Sequence, residues 1–256
     1  MNLIEPGRTP WDLQFNVAGI PVRVHPMFWL MSLLVVGIGN TTGVALIIGL
    51  VIVFVSILVH ELGHAFTMRY YGEQARVVLY FMGGLAITGG DSIWDLGYRQ
   101  RARSPQQQII ISAAGPAAGF ALAALTVAFI YAMGMAVEVI WFKGLPVFVI
   151  NTYDKSISWE AEFGLRIILW INIFWGLINL LPVYPLDGGQ IARQIFLLRN
   201  PYEGLTQSLW LSLVVAAAMA IFGLSRGDIW IGVLFGSMAF GNWQMLQNAG
   251  YGGRPW

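Results

Sequence analysis

The segment Val59-His60-Glu61-Leu62-Gly63-His64 has the residue types and the spacing of a metal site on a helix. Two histidines four residues apart lie on the same helix face, so both imidazoles can bind one zinc ion. Glu61, next to the first histidine, can then reach a metal-bound water as general base. The alternative is a polar pair packed inside a helix bundle. We favour a zinc site, because ionisable groups inside an apolar span are costly and usually functional.

A catalytic zinc ion needs a third protein ligand, which must be His25 or a carboxylate. Asp187 is the favoured carboxylate because it closes a long uncharged run. Pro182 and Pro185 should break the helix just before it, and Gly188 with Gly189 permits close backbone approach. His25 precedes Pro26 and is more typical of a hydrogen-bonded residue. The weaker carboxylate candidates, which lie in loops that water can solvate, are Glu73, Asp91 and Asp95.

The composition is that of an integral membrane protein. Of the 256 residues, 57% are hydrophobic and 11% are charged, whereas a soluble domain carries about 25% charged residues. The mean hydropathy is +0.67. A net charge of +1 argues against a nucleic-acid partner, and the absence of cysteine excludes disulfides and Cys-ligated metal sites.

Stretches without Asp, Glu, Lys or Arg indicate membrane spans, because a charge at mid-bilayer costs several kcal/mol. They predict six transmembrane helices, at about residues 27–39, 43–69, 104–137, 167–186, 205–225 and 229–247. With both termini inside, most arginines lie on the cytoplasmic side, as the positive-inside rule requires. The second and fourth spans then run in the same direction, so His64 and Asp187 are expected toward the cytoplasmic side.

Two segments outside the spans predict β-structure. Residues 12–25 alternate around Gly19 like a short strand pair, and residues 76–90 predict a hairpin turning at Gly83-Gly84. The second is apolar enough to lie in or against the bilayer if protein or a wet cavity covers it. The predicted fold class is therefore an all-α polytopic membrane protein with a small membrane-associated β-hairpin or sheet. We expect no cleavable signal segment, and residues 1–256 are interpreted as one membrane-embedded domain.

The motif His60-Glu61-Leu62-Gly63-His64, followed in a later span by Leu186-Asp187-Gly188, resembles the site-2 protease family of intramembrane zinc metalloproteases. The segment Gly19-Ile-Pro-Val-Arg-Val-His-Pro26, the Gly83-Gly84 hairpin and Ala114-Gly115-Pro116 are also similar to elements of that family. The resemblance covers about residues 19–195, which we interpret as the catalytic core. The paired motifs are far more specific than HExxH alone, which many soluble zincins share.

The resemblance implies hydrolysis of a peptide bond within or near the transmembrane helix of a membrane-bound substrate. It implies that His60, His64 and Asp187 hold Zn²⁺, and that Glu61 activates the water and transfers its proton. Asn179 matches the asparagine that precedes the Asp motif in the family, where an amide donor can stabilise the oxyanion. The alternative for Asn179 is an amide bonded to a neighbouring helix. The hairpin at 76–90 is a candidate to pair with an unwound substrate strand.

The compact form of the family, without a PDZ or CBS domain, is the expected type. Residues 205–247 then supply two further helices as a candidate substrate gate. The expected partners are transmembrane protein substrates and the lipid bilayer, without nucleic acid. The topology fits a prokaryotic inner membrane with the N- and C-termini in the cytoplasm.

Two other functions remain open. Another membrane zincin, such as a CAAX-processing protease, would use a later glutamate as its third ligand. Glu203 fits that role poorly because it lies in a cytoplasmic loop. A non-proteolytic zinc-binding membrane protein is the second alternative. Glu61 argues against it, since holding a metal requires no general base.

Overall fold

The computed structural model describes residues 5–37, 43–88, 103–142, 145–153 and 157–251. Within these ranges the chain is mostly helical. The helices are α1 (Met27–Val36), α2 (Gly43–Tyr70), α3 (Pro105–Ala132), α4 (Trp159–Asn179), α5 (Asp187–Arg199), α6 (Gly204–Ser225) and α7 (Ile229–Tyr251). The strands are β1 (Leu13–Val17), β2 (Ile20–Val24), β3 (Ala75–Tyr80), β4 (Gly83–Thr88), β5 (Ala136–Phe142) and β6 (Leu145–Asn151).

Four of the described helices, α2, α3, α4 and α6, are long and apolar enough to cross a membrane. This confirms a mostly helical membrane protein but not the predicted count of six spans. Helix α1 is apolar but has only 10 residues, or about 15 Å, half the thickness of the hydrocarbon core. Helix α7 has 23 residues but falls outside this apolar set. Polar side chains such as Asn242 and Gln244 lower its hydropathy.

The two predicted β-segments form one four-stranded sheet in the order β1-β2-β3-β4. Strands β1 and β2 pair antiparallel, as do β3 and β4, so both predicted hairpins are confirmed. The turn of the second hairpin is at Phe81-Met82, because Tyr80 pairs with Gly83. The expected turn at Gly83-Gly84 was therefore displaced by two residues. The parallel pairing of β2 with β3, with Val22 opposite Val77, was not predicted.

A second sheet, formed by β5 and β6, was not predicted from the sequence. Helix α3 ends at Ala132 and β5 begins at Ala136, so the helix is shorter than the predicted third span. Valines at alternating positions, such as Val137 and Val139, favour a strand.

The chain divides into two compact units, whose described residues fall in 5–88 with 114–177 and in 103–113 with 178–251. The first unit contains two hydrophobic clusters. One packs the four-stranded sheet on α1 and α2, and the other packs α3, the β5–β6 hairpin and α4. In the second unit, Val183, Ala216 and Phe235 are buried together on the segment before α5 and on helices α6 and α7. A single domain over residues 1–256 remains a prediction.

Candidate metal centre

Helix α2 carries His60 and His64 one turn apart, and both side chains are buried. Their Nε2 atoms lie 3.3 Å apart. The ring centroids are 4.9 Å apart and the ring planes are inclined by 79°. The two Nε2 atoms thus converge on one small region in the first unit.

This nitrogen separation fits one shared zinc ion. A tetrahedral zinc ion with imidazole nitrogens at about 2.0–2.1 Å holds any two of them about 3.3–3.4 Å apart. The observed separation of 3.3 Å equals that tetrahedral edge. Imidazole is also among the preferred ligands of zinc. The pair can therefore supply two of the ligands without moving.

The space around the two imidazoles depends on glycine in α3. A Cβ at Gly115 would lie 2.5 Å from Cε1 of His64 and 2.8 Å from Nε2 of His60, closer than real Cβ atoms come. A Cβ at Gly63, on α2, would lie 2.5 Å from the carbonyl oxygen of Ala114. The two helices therefore pack backbone to backbone, as small residues allow between membrane helices.

Glu61 is buried on α2 and its carboxyl group packs against strand β4. A Cβ at Gly84 would lie 2.5 Å from both the carboxyl carbon and Oε1 of Glu61. Tyr80 in β3, outside the spanning helices, is also near: burial and the charge of Glu61 raise the pKa of its phenol. The phenol therefore stays protonated at neutral pH, and the sheet covers one side of the Glu61 carboxylate.

Asp187 lies in the second unit, where it is buried as the first residue of α5. The predicted break is confirmed, since α4 ends at Asn179 and residues 180–186 are not helical. A carboxylate in the first helical turn is stabilised by the positive end of the helix dipole. A Cβ at Gly188 would overlap the Leu180 carbonyl group, so this turn can close only around glycine.

The other predicted residues are distributed as follows. Asn179 is the last residue of α4 and is partly buried. His25 is hydrogen-bonded, its Nδ1 accepting from the Met27 N–H at 3.2 Å. Glu203 is exposed before α6, and Glu73 is partly buried after α2. Asp91 and Asp95 lie outside the described residues. His60, His64 and Asp187 are all buried, and each offers one atom that can bind a metal ion.

Asn172 was not singled out from the sequence, although it is buried beside the helix that carries the histidines. Its amide donates to Ser56 Oγ at 2.9 Å and to the Ile168 carbonyl at 2.8 Å. Ser56 lies one turn before His60 on α2. The contact therefore joins α4 to α2 one turn from His60. An asparagine inside an apolar span is the signal that indicates such a contact.

Comparison with known proteins identifies a match to the family model of peptidase family M50 over residues 48–221, more than half of the chain. Zinc metalloprotease MJ0392 of Methanocaldococcus jannaschii is 26% identical over 84% of this chain and 54% of its own length. The protein sll0528 of Synechocystis is 26% identical over 93% of this chain and 59% of its own length. Rip3 of Mycobacterium tuberculosis is 27% identical over 84% of this chain and 53% of its own length.

The chain thus spans slightly more than half the length of these curated relatives. Among solved structures, the site-2 protease from Methanocaldococcus jannaschii matches with a TM-score of 0.56. That match covers 92% of this chain and 95% of the other, at 22% sequence identity. The two proteins share a fold.

Proposed function

The chain belongs to peptidase family M50, and on that premise we propose that it is an intramembrane zinc endopeptidase. Its substrates are membrane-bound proteins, cut within or near a transmembrane helix. The observation that carries the proposal is the pair of buried imidazole nitrogens 3.3 Å apart on α2, with Glu61 next to His60. The names of MJ0392 and of the structural neighbour, a zinc metalloprotease and a site-2 protease, support it.

In this proposal His60, His64 and Asp187 hold one Zn²⁺ ion. The spacing of the two imidazole nitrogens supports the first two ligands. The burial of Asp187 at the start of α5 supports the third, since a carboxylate removed from water needs a cationic partner. When bound, zinc supplies Lewis-acid chemistry, polarising the scissile carbonyl and increasing the acidity of water.

Glu61 is the general base. Its carboxylate takes a proton from the attacking water and delivers it to the leaving amine of the cleaved peptide. The contact with Gly84 fixes the carboxyl group against β4 and limits its rotation. Asn179 is proposed to donate from its amide to the oxyanion that forms on the scissile carbonyl.

Strand β4 is proposed to hold the substrate in an extended form. It is the last strand of the four-stranded sheet, and Gly84 within it touches the Glu61 carboxyl group. A peptide bond in a helix has its carbonyl hydrogen-bonded and covered, so local unwinding must precede attack. A substrate strand added along β4 would satisfy its backbone groups and bring its carbonyls beside the base.

The proposal also includes the membrane, the partners and the route by which the substrate enters. The four apolar helices place the protein in a membrane, and we propose a prokaryotic inner membrane with both termini in the cytoplasm. The lipid bilayer and transmembrane substrates are its partners. Residues 205–247 remain the candidate substrate gate. Glu203, which a CAAX-type zincin would need, is exposed and accepts hydrogen bonds from Asn200 and Gln207.

The test is cleavage of a panel of reporter transmembrane substrates by the purified protein, wild type beside Glu61→Ala, with zinc measured in both. Cleavage by the wild type alone at equal zinc content supports the peptidase and identifies its base. Equal cleavage by both proteins contradicts the mechanism. Bound zinc without cleavage of any substrate would favour the non-proteolytic alternative.

A further inference from the structure

The segment 180–186, between α4 and α5, presents backbone N–H and C=O groups outside any helix. At membrane depth such groups must find partners within the protein. Two of them bond within the segment, Val183 N–H to the Leu181 carbonyl and Leu186 N–H to the Val183 carbonyl. The Tyr184 peptide groups instead bond to side chains from other helices of the same unit.

Ser212 on α6 binds this segment from one side. It is almost completely buried, and its hydroxyl oxygen accepts a hydrogen bond from the Tyr184 N–H at 3.1 Å. The same hydroxyl donates to the Pro182 carbonyl at 3.3 Å. A single side chain therefore joins two points of the unwound segment to α6.

Asn242 on α7 binds it from the other side. Its amide nitrogen donates to the Tyr184 carbonyl at 2.7 Å and to the Met238 carbonyl of its own helix at 2.8 Å. Because both acceptors are carbonyl oxygens, only the amide NH₂ can face them, which fixes the orientation of the amide. Asn242 is 1% exposed, so water cannot easily replace these bonds.

Short contacts connect the backbone around Tyr184 to the first turn of α5, which begins at Asp187. The Gln190 side chain donates to the Pro185 carbonyl at 3.3 Å, and the Gln190 N–H bonds to the Leu186 carbonyl at 3.0 Å. A Cβ at Gly189 would overlap the backbone nitrogen of Tyr184. The first turn of α5 therefore packs directly on the segment that Ser212 and Asn242 hold.

We propose that Ser212 and Asn242 are positioning residues that fix the carboxylate of Asp187 for metal binding. The inference rests on the proposed function in one respect, the assignment of Asp187 as third ligand. Helices α6 and α7, which carry no metal ligand themselves, then act on the metal site by holding the peptide of Tyr184. Outer contacts of this kind alter metal affinity by about 10- to 100-fold when removed.

The test uses Co²⁺ as a probe, because its visible absorption reports ligand identity and geometry. Purified metal-free protein is titrated with Co²⁺ as wild type, Ser212→Ala, Asn242→Leu and Ser212→Thr. Ser208→Ala is the matched control, since Ser208 is also buried on α6 but its hydroxyl donates to the Leu205 carbonyl of the same helix. Asp187→Ala serves as the reference for loss of the ligand.

We expect Ser212→Ala and Asn242→Leu to bind Co²⁺ about 10- to 100-fold more weakly than wild type, with a spectrum shifted toward that of Asp187→Ala. Ser212→Thr, which keeps the hydroxyl, and Ser208→Ala should both match wild type. Wild-type spectra and affinities for both Ser212→Ala and Asn242→Leu would overturn the positioning role. If Asn242→Leu does not fold, Ser212→Ala, which removes one hydroxyl group, decides alone.

The Asp187→Ala variant distinguishes the positioning role of Ser212 and Asn242 from the assignment of Asp187 as the third ligand. A wild-type spectrum in Asp187→Ala overturns Asp187 as ligand, and the positioning role with it. A changed spectrum in Asp187→Ala, with no change in Ser212→Ala and Asn242→Leu, overturns the positioning role alone. Neither result depends on finding a substrate for the enzyme.

Discussion

Gly115 on α3 lies directly against the imidazole of His64 on α2. A Cβ built at Gly115 would be 2.5 Å from Cε1 of His64, where distances under 3.0 Å essentially never occur. The same Cβ would also crowd Nε2 of His60. Helix α3, which lies outside the HExxH motif, thus limits the space available to both histidine side chains.

Gly115→Ala should therefore weaken metal binding. The added methyl group must displace the imidazole of His64, and we expect zinc affinity to fall by about 10- to 100-fold. Gly119→Ala is the matched control one turn later, because its Cβ would meet Asn172 at an ordinary 3.5 Å. Zinc competition with a chelator measures both variants. Equal zinc affinity in the two would contradict this role of Gly115.

Gly84→Ala tests the contact between β4 and the base. Its Cβ would displace the Glu61 side chain, which supplies the three atoms nearest to it. We expect zinc content to be unchanged and kcat to fall by about 100-fold or more, the range attributed to a positioned general base. Gly236→Ala, with nothing within 4 Å of its Cβ, is the control. Loss of zinc from Gly84→Ala would show that β4 supports the ligands instead.

Asp187→Asn, beside Glu203→Gln, tests which of these two carboxylates is the third zinc ligand. Removing a ligand carboxylate should cost more than removing an outer contact, so we expect zinc affinity to fall by more than about 100-fold. Glu203→Gln should leave it unchanged, since Glu203 is exposed and bonded to its own turn. Zinc content after dialysis measures both. Loss of zinc from Glu203→Gln but not from Asp187→Asn would favour a CAAX-type site.

Asp12 gives a pH dependence that is separate from the metal site. Burial alone would raise the pKa of Asp12, but hydrogen bonds from Thr9 and Arg23 outweigh it and hold the pKa below its ordinary 3.8. The charged form is therefore stabilised in the folded state. This contribution to stability is present above about pH 4 and is lost as the pH falls through the lowered pKa.

Asp12→Asn should consequently lower the melting temperature at neutral pH, and the difference from wild type should shrink as the pH falls below 3.8. Thermal unfolding in detergent as a function of pH measures it. Arg23, which bonds Asp12 at 2.9 Å and Glu5 at 2.8 Å, is the partner that loses an ion pair. A difference that is the same at every pH would contradict the assignment.

The sequence predicted those parts of the site that depend on local spacing. His60, Glu61 and His64 follow from a helical period on α2, and their convergence needs no other element. The break before Asp187 follows from Pro182 and Pro185, because proline cannot continue a helix. The two β-hairpins were also predicted locally, the first from the alternation of residues 12–25 and the second from a turn expected at Gly83-Gly84.

The remaining features depend on contacts between distant parts of the chain. The pairing of β2 with β3 joins segments that no short-range pattern connects. The contact of Gly84 with Glu61, and that of Gly115 with both histidines, exist only once the elements pack. The count of six spans is not confirmed, because α1 has only 10 residues and α7 falls outside the described helices that are long and apolar enough to cross a membrane.

The measurement that tests the central claim most directly is the zinc content of the purified protein beside a His60→Ala/His64→Ala double variant. Both proteins are purified in detergent, supplied with zinc and dialysed before elemental analysis. We predict about one zinc ion per chain in the wild type and none in the double variant, because the two imidazoles are placed to bind a single ion. Equal zinc content in the two proteins would contradict the account.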